Sequence, residues 1–488
     1  MMKKITIDPI TRLEGHGKIE IFLDDNGEVA NAYLQIPELR GFEKFCEGRP
    51  VEELPRITPK ICGVCPEAHH MASAKAVDAV YGVTPPPAAK KLRELFYCAH
   101  MIHSHIAHFY ALAAPDFVVG PDAPAAERNI LGVVAKVGLD IGREVIKHRA
   151  FAQDIQTLIG GRATYPVCAL PGGCSKAITE EERAQIEEKA VSCVEFGKLS
   201  LKIFEDVVLK NKSYLDIILS RDLYYIQTHY MGLVDADNKV NFYDGDVRVV
   251  SPEGAETARF KAAGYLEHID EHVETWTYLK FPYLKKAGWK GFVDGPSSGM
   301  LRAAPLARLN AAAGMATPLA QAEYEKMFSA LGGKPVHHTL AFHWARLIEL
   351  LYAAERMRDL SRDPEITSPD VRALPSATPS EGVGIVEAPR GTLIHHYKTD
   401  ANGMVSEVNL IVATGFNHAA MNLSIAKAAR GLIKKGVVTD GLLNMVEMAF
   451  RAYDPCMSCA THALPGRMPL LINIRKKNGE IAEVLRRD

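Results

Sequence analysis

Two periods of apolar and polar residues run through this chain. Near the start, Lys18-Ile19-Glu20-Ile21-Phe22-Leu23 and Val29-Ala30-Asn31-Ala32-Tyr33-Leu34 flank Asp25-Asn26-Gly27. Strand-like runs around such a turn predict a hairpin. The same reading predicts a hairpin around Asn402-Gly403, between 395–397 and 405–408, and another around Asn478-Gly479, between 470–474 and 481–485. The middle follows the helical period. In 88–113, Leu92, Leu95, Phe96, Ala99, Ile102, Ile106 and Phe109 recur at helical spacing. Segments 180–209, 339–360 and 419–435 repeat that pattern. No linker interrupts it. The predicted fold is mainly α with small β-sheets (α+β): one helical body with peripheral hairpins.

Composition narrows the class. The 488 residues are 47% hydrophobic and 24% charged, as in an ordinary soluble globular protein. A formal net charge of −2 leaves no basic footprint for nucleic acid. No apolar run is long enough for a transmembrane helix, and the N-terminus lacks a signal-peptide stretch. Nine cysteines in so long a chain do not make a disulfide scaffold, and a reducing cytoplasm suits them. Cys46, Cys98, Cys168, Cys174 and Cys193 are scattered and read as buried free thiols. His100, His103, His105 and His108 do not share one helix face, so they read as packing residues.

The remaining four cysteines form Cys62-Gly-Val-Cys65 and Cys456-Met-Ser-Cys459. Each C-x-x-C pair offers two soft sulfurs to one metal. Pro66 and Pro455 place both pairs at helix starts, with Asp454 as the expected N-cap of the second. There the dipole favours thiolate. Spacing alone leaves a structural zinc site and a redox dithiol open.

The flanking residues go further. The blocks Asp8-Pro9-Ile10-Thr11-Arg12-Leu13-Glu14-Gly15-His16, the Cys62 motif, Glu387-Ala388-Pro389-Arg390-Gly391 and Asp454-Pro455-Cys456-Met457-Ser458-Cys459-Ala460-Thr461-His462 resemble the signatures of nickel-iron hydrogenase large subunits. The resemblance covers essentially the whole chain. It implies reversible cleavage of dihydrogen into protons and electrons. Cys62 and Cys456 would bind nickel terminally, while Cys65 and Cys459 would bridge it to an iron carrying carbonyl and cyanide. Arg390 would overhang the metals, anchored by Asp116 and Asp454. Thr414, beside Ala413 where the family often has proline, would hydrogen-bond a cyanide. Cys456 would accept a proton and Glu14 would pass it on. Glu43, the Leu410 carbonyl and His462 would hold magnesium or another divalent cation.

The resemblance also implies partners. No iron–sulfur cluster motif remains after the four cysteines are used, so an iron–sulfur small subunit would carry electrons away. Further electron-transfer subunits would be of heterodisulfide reductase or diaphorase type. A maturation chaperone and an endopeptidase would assemble the site. Cleavage after His462 would leave 1–462 as the working domain and remove 463–488. The segments 288–295 and 314–321 look most like the methyl-viologen-reducing, deazaflavin-nonreducing branch of the cytoplasmic enzymes. An NAD(P)-reducing bidirectional hydrogenase is the alternative. More distant are a zinc-stabilised protein and a complex I-like subunit.

Overall fold

The computed structural model describes residues 3–36, 38, 41–460, 470–476 and 480–487. His462 and the start of the tail lie outside the described residues. The helical body is built from Pro66–Val80, Pro87–Ala107, Leu139–Gly160, Glu180–Phe204 and Phe342–Ser361, packed side by side. The first of the predicted helices is α-helical to Ala107, then widens into π-type turns at His108–Ala113 and Pro115–Val119. The second starts where its sequence says. The Thr179 hydroxyl accepts from the Glu182 N–H while the Glu182 carboxylate accepts from the Thr179 N–H, a reciprocal cap. Phe342–Ser361 is almost wholly buried, charged Arg346, Glu349 and Glu355 included.

The predicted hairpins are present, two of them enlarged. Lys3–Ile7 adds a third antiparallel strand to Lys18–Leu23 and Val29–Gln35. Glu381–Ala388 adds one to Gly391–Thr399 and Val405–Ile411. The tail pairs Leu470–Arg475 with Ile481–Arg487. The pattern reading missed a sheet ordered Leu301–Arg302, His229–Val234, Asp246–Val250, Glu256–Phe260. His229–Val234 is buried at every residue, so it shows no alternation to read.

Two contacts bring the cysteine-bearing segments inward. Strand Glu381–Ala388 lies directly on helix Pro66–Val80. A Cβ at Gly384 would sit 2.1 Å from the Ala72 carbonyl oxygen, so only glycine permits that approach. The segment after Ile7 runs beside the C-terminal cysteines, and Glu14 and Cys456 form a parallel bridge.

All nine cysteines are buried and unbridged. The four helix histidines make separate contacts: His105 with Glu349, His108 with the Arg451 carbonyl, His103 with Arg149, and His100 beside Glu67. They form no common box, as their angular spread predicts.

Candidate metal centre

The two cysteine pairs meet. The sulfurs of Cys62, Cys65, Cys456 and Cys459 all lie within 4.8 Å of one another, and each residue is buried. Cys62 Sγ is 3.2 Å from Cys456 Sγ, and Cys65 Sγ is 3.3 Å from Cys459 Sγ. Among the described residues this is the sole grouping of metal-ligating side chains of that kind. Cys65 is the N-cap of helix Pro66–Val80, with Pro66 in its first turn. The loop N–H groups of Val64 and Cys65 donate to Cys62 Sγ at 3.2 Å. Cys456 immediately precedes the short helix Met457–Ala460.

Helix position does not set the charge state of all four sulfurs. Burial opposes ionisation at Cys62, but hydrogen bonding with the neighbouring cysteine sulfurs and the charge of Arg390 hold it well below the ordinary thiol range. Burial pushes Cys456 and Cys459 well above it. Four thiolates in this space require a strongly bound cation. The soft donor set fits a thiophilic metal.

Arg390 stands at the turn between Glu381–Ala388 and Gly391–Thr399 and is almost fully buried. Its Nη2 donates to Asp454 Oδ1 at 3.1 Å. Burial works against its charge, yet Asp454 and the sulfurs of Cys456, Cys65 and Cys62 outweigh that cost. Its Nε and Nη1 have no partner among the described residues, nor does Asp454 Oδ2. Buried orphan donors beside a metal site are placed to receive a bound acceptor.

Two expectations change here. Asp454 does not cap the second helix; it adopts φ 56° and turns its carboxylate to Arg390. Asp116, expected to anchor Arg390, instead accepts from Arg12 at 2.5 Å and Arg451 at 2.6 Å. It lies on the π-type turn Pro115–Val119, which faces those two guanidiniums.

Glu14 lies against the sulfurs. Cys456 Sγ donates to Glu14 Oε2 at 2.9 Å, and the Ser458 N–H donates to the same oxygen at 3.1 Å. Gly15 makes this possible. Its φ is +81°, and a Cβ there would lie 2.9 Å from both Met457 Cβ and Ser458 N. Gly15→Ala is therefore expected to destabilise the chain by at least about 1–2 kcal/mol from backbone strain alone. Thermal unfolding measures that loss, and nickel content measures the opening of the site.

The Thr414 hydroxyl accepts from the Cys456 N–H at 3.2 Å and keeps its own hydrogen to donate. Ala413 is buried beside it, and its carbonyl accepts from Asn417 Nδ2 at 3.3 Å. Glu43 Oε1 accepts from the Leu410 N–H at 2.7 Å. In a strand, the N–H and C=O of one residue face the same side. The Leu410 carbonyl thus faces the edge where Glu43 sits. Burial pushes the Glu43 carboxyl up to about 7, against the pull of Lys280. An oxygen-lined edge with a half-buried carboxylate suits a hard cation.

Several supporting residues escaped the sequence reading. Arg308 forks onto Glu349 at 2.6 and 2.7 Å and reaches Glu387 at 2.9 Å, fixing the strand end before Arg390. Asn417 Nδ2 donates to the Arg390 carbonyl at 2.9 Å. His69 is different, being visible in the sequence as the histidine after the first cysteine pair: its Nε2 lies 3.5 Å from Cys459 Sγ, and its Nδ1 lies 3.1 Å from His395 Nε2. Charged residues within apolar helical runs, such as Glu349, were the available signal.

The comparisons agree with this geometry. The nickel-dependent hydrogenase family profile matches residues 40–132 and 217–462, and a HoxL-like profile matches 4–39. The chain belongs to the nickel-iron hydrogenase large-subunit family. It is 53% identical over 486 residues to an iron-sulfur subunit of the F420-non-reducing hydrogenase of Archaeoglobus profundus, covering 99% of this chain and 100% of that one. It is 36% identical over 498 residues to the NAD-reducing hydrogenase HoxS subunit beta of Cupriavidus necator, covering 99% of each. The solved NAD+-reducing [NiFe]-hydrogenase in its H2-reduced state superposes with a TM-score of 0.88 at 38% identity, over 94% of this chain and 99% of that one. Membership makes the chain an oxidoreductase acting on dihydrogen. The four cysteines form a cluster able to bind metal.

Proposed function

We propose that this hydrogenase large subunit delivers electrons through an iron–sulfur small subunit to a heterodisulfide reductase, in the cytoplasm. The observation that carries the branch is the 53% identity to an F420-non-reducing relative, against 36% to the NAD-reducing one. The second reading, an NAD(P)-reducing enzyme with diaphorase subunits, draws on the 0.88 TM-score. No helix among the described residues is long and apolar enough to cross a membrane. The native complex, purified under dihydrogen, is expected to reduce methyl viologen and leave NAD+ untouched. Reduction of NAD+ at a comparable rate would overturn the branch.

A nickel-iron centre held by the four cysteines would supply Lewis acidity that polarises dihydrogen, and redox capacity. The protein groups do the rest. Cys62 and Cys456 would serve as nickel ligands, and Cys65 and Cys459 as ligands shared by nickel and iron. The Thr414 hydroxyl, which keeps its hydrogen, would donate to a cyanide on iron. Arg390 and Asp454 wall the open side. Cys456 Sγ holds the departing proton, and Glu14 Oε2, 2.9 Å away, receives it. Glu43 and the Leu410 carbonyl, with His462, would hold magnesium.

The electron route leads out of the chain, since no second cysteine cluster lies among the described residues. A maturation chaperone and an endopeptidase complete the site, and cutting after His462 removes 463–488. Intact mass of active enzyme tests that step; full activity in an uncut chain would refute it. Cys65→Ser is expected to abolish activity and bound nickel, with the infrared carbonyl and cyanide bands lost. Zinc in place of nickel in the unaltered protein would sink the reading.

A further inference from the structure

Glu14 must be held against Cys456, yet the segment that carries it has no regular structure. Strand Lys3–Ile7 ends before it and strand Lys18–Leu23 begins after it. It hydrogen-bonds the cysteine segment at one residue, Glu14: through the two bonds to Glu14 Oε2 and the two backbone bonds of the isolated bridge, Met457 N–H to the Glu14 carbonyl at 2.9 Å and Glu14 N–H to the Pro455 carbonyl at 3.5 Å. Something else must fix this stretch of chain.

The fixing groups lie two and three residues upstream. Arg12 donates to the Leu112 carbonyl at 2.8 Å, to Asp116 Oδ1 at 2.5 Å and to Asn444 Oδ1 at 3.0 Å. Asp116 Oδ2 accepts from Arg451 Nη1 at 2.6 Å. Arg451 Nη2 reaches Glu447 Oε2, which also accepts from the Thr11 hydroxyl at 2.5 Å. Two cations and two carboxylates alternate, so the charge balances. Arg451, Asp116 and Glu447 are almost fully buried. Burial opposes ionisation of Asp116, but Arg451 and Arg12 outweigh it and hold the carboxyl below its usual range. Buried charges persist only when paired this way.

The connectivity gives the cluster its purpose. Arg451 ends helix Asp440–Arg451, and five residues later the same chain presents Cys456. The cluster therefore ties the strand of chain bearing Glu14 and the one bearing Cys456 to a single ionic knot. We infer that Arg12 is a positioning residue that holds Glu14 against Cys456, and that Asp116 serves this clamp rather than Arg390. The functional side of the inference rests on the proton-transfer role proposed for Glu14. The positional side does not.

The test uses Arg12→Gln, Arg12→Lys and Asp116→Asn, with Thr11→Val as a near-isosteric, uncharged variant that spares the buried ions. Hydrogen exchange at the Met457 and Ser458 amides, read on the full-length metal-free chain, reports the position of Glu14. Arg12→Gln is expected to expose both amides about 10-fold, the worth of a charged hydrogen bond. Arg12→Lys should restore part of that protection, and Thr11→Val should lose less. In the assembled enzyme, with nickel content and infrared bands unchanged, Arg12→Gln should slow deuterium exchange between dihydrogen and water about 100-fold, as a misplacement near 1 Å does. Asp116→Asn should add nothing to Arg12→Gln but multiply with Arg390→Lys, because only residues in one network couple. Unchanged amide protection in both Arg12→Gln and Thr11→Val would overturn the inference. So would coupling of Asp116→Asn to Arg390→Lys instead of Arg12→Gln. Lost protection with undiminished exchange would support the clamp while removing Glu14 from the proton path.

Discussion

Glu14→Gln is expected to leave nickel and iron in place while slowing proton exchange between dihydrogen and water about 1,000-fold, within the range of a lost general acid–base group. Glutamine has nearly the same shape. Its carbonyl oxygen still accepts from Cys456 Sγ and from the Ser458 N–H, the two bonds Glu14 Oε2 makes. What it lacks is a carboxylate that takes up a proton and releases it. The site should therefore assemble and show normal infrared bands, yet trade protons slowly with solvent. Deuterium exchange measured beside metal content separates those outcomes. Exchange at the unaltered rate with full metal would place the proton exit elsewhere.

Arg390→Lys is expected to keep the fold and the metals but lose about 100-fold in turnover, comparable to removing one preorganised donor from an active site. The positive charge survives, so the buried Asp454 carboxylate still has a counter-ion. The planar fork does not survive. Arg390 uses Nη2 for Asp454 and keeps Nε and Nη1 unpaired beside the sulfurs. A lysine ammonium is a single point on a flexible stem and cannot serve both directions. Steady-state turnover at matched nickel content reads the effect. Near-normal turnover would show that charge alone suffices there.

Much of the site was legible because its residues are chemically unusual for their positions. Cysteine pairs followed by histidine, a glutamate before glycine, and an arginine between proline and glycine stand out in any sequence. What escaped is what looks ordinary. Arg308, Glu349 and Asn417 are common residue types that acquire meaning only when strands and helices distant in sequence converge. Asp116 shows the limit of carrying a role over by motif. Its neighbours Pro115 and Phe117 identify the position, but only the placement of Arg12 and Arg451 around it shows which cation it serves. The fold followed the same rule. Amphipathic helices announced themselves through Leu92 and Ile102, whereas the uniformly buried strand His229–Val234 carried no period to detect.

The 394-residue separation between paired sulfurs has a consequence in time. A chain growing at about 5–20 residues per second carries its first cysteine pair for roughly 20–80 s before the second pair is even synthesised. During that interval Cys62 and Cys65 can hold a metal with only half of their final partners. The second pair is made long after the first and closes the cage, so a centre with its full set of ligands also certifies that translation has passed Cys459.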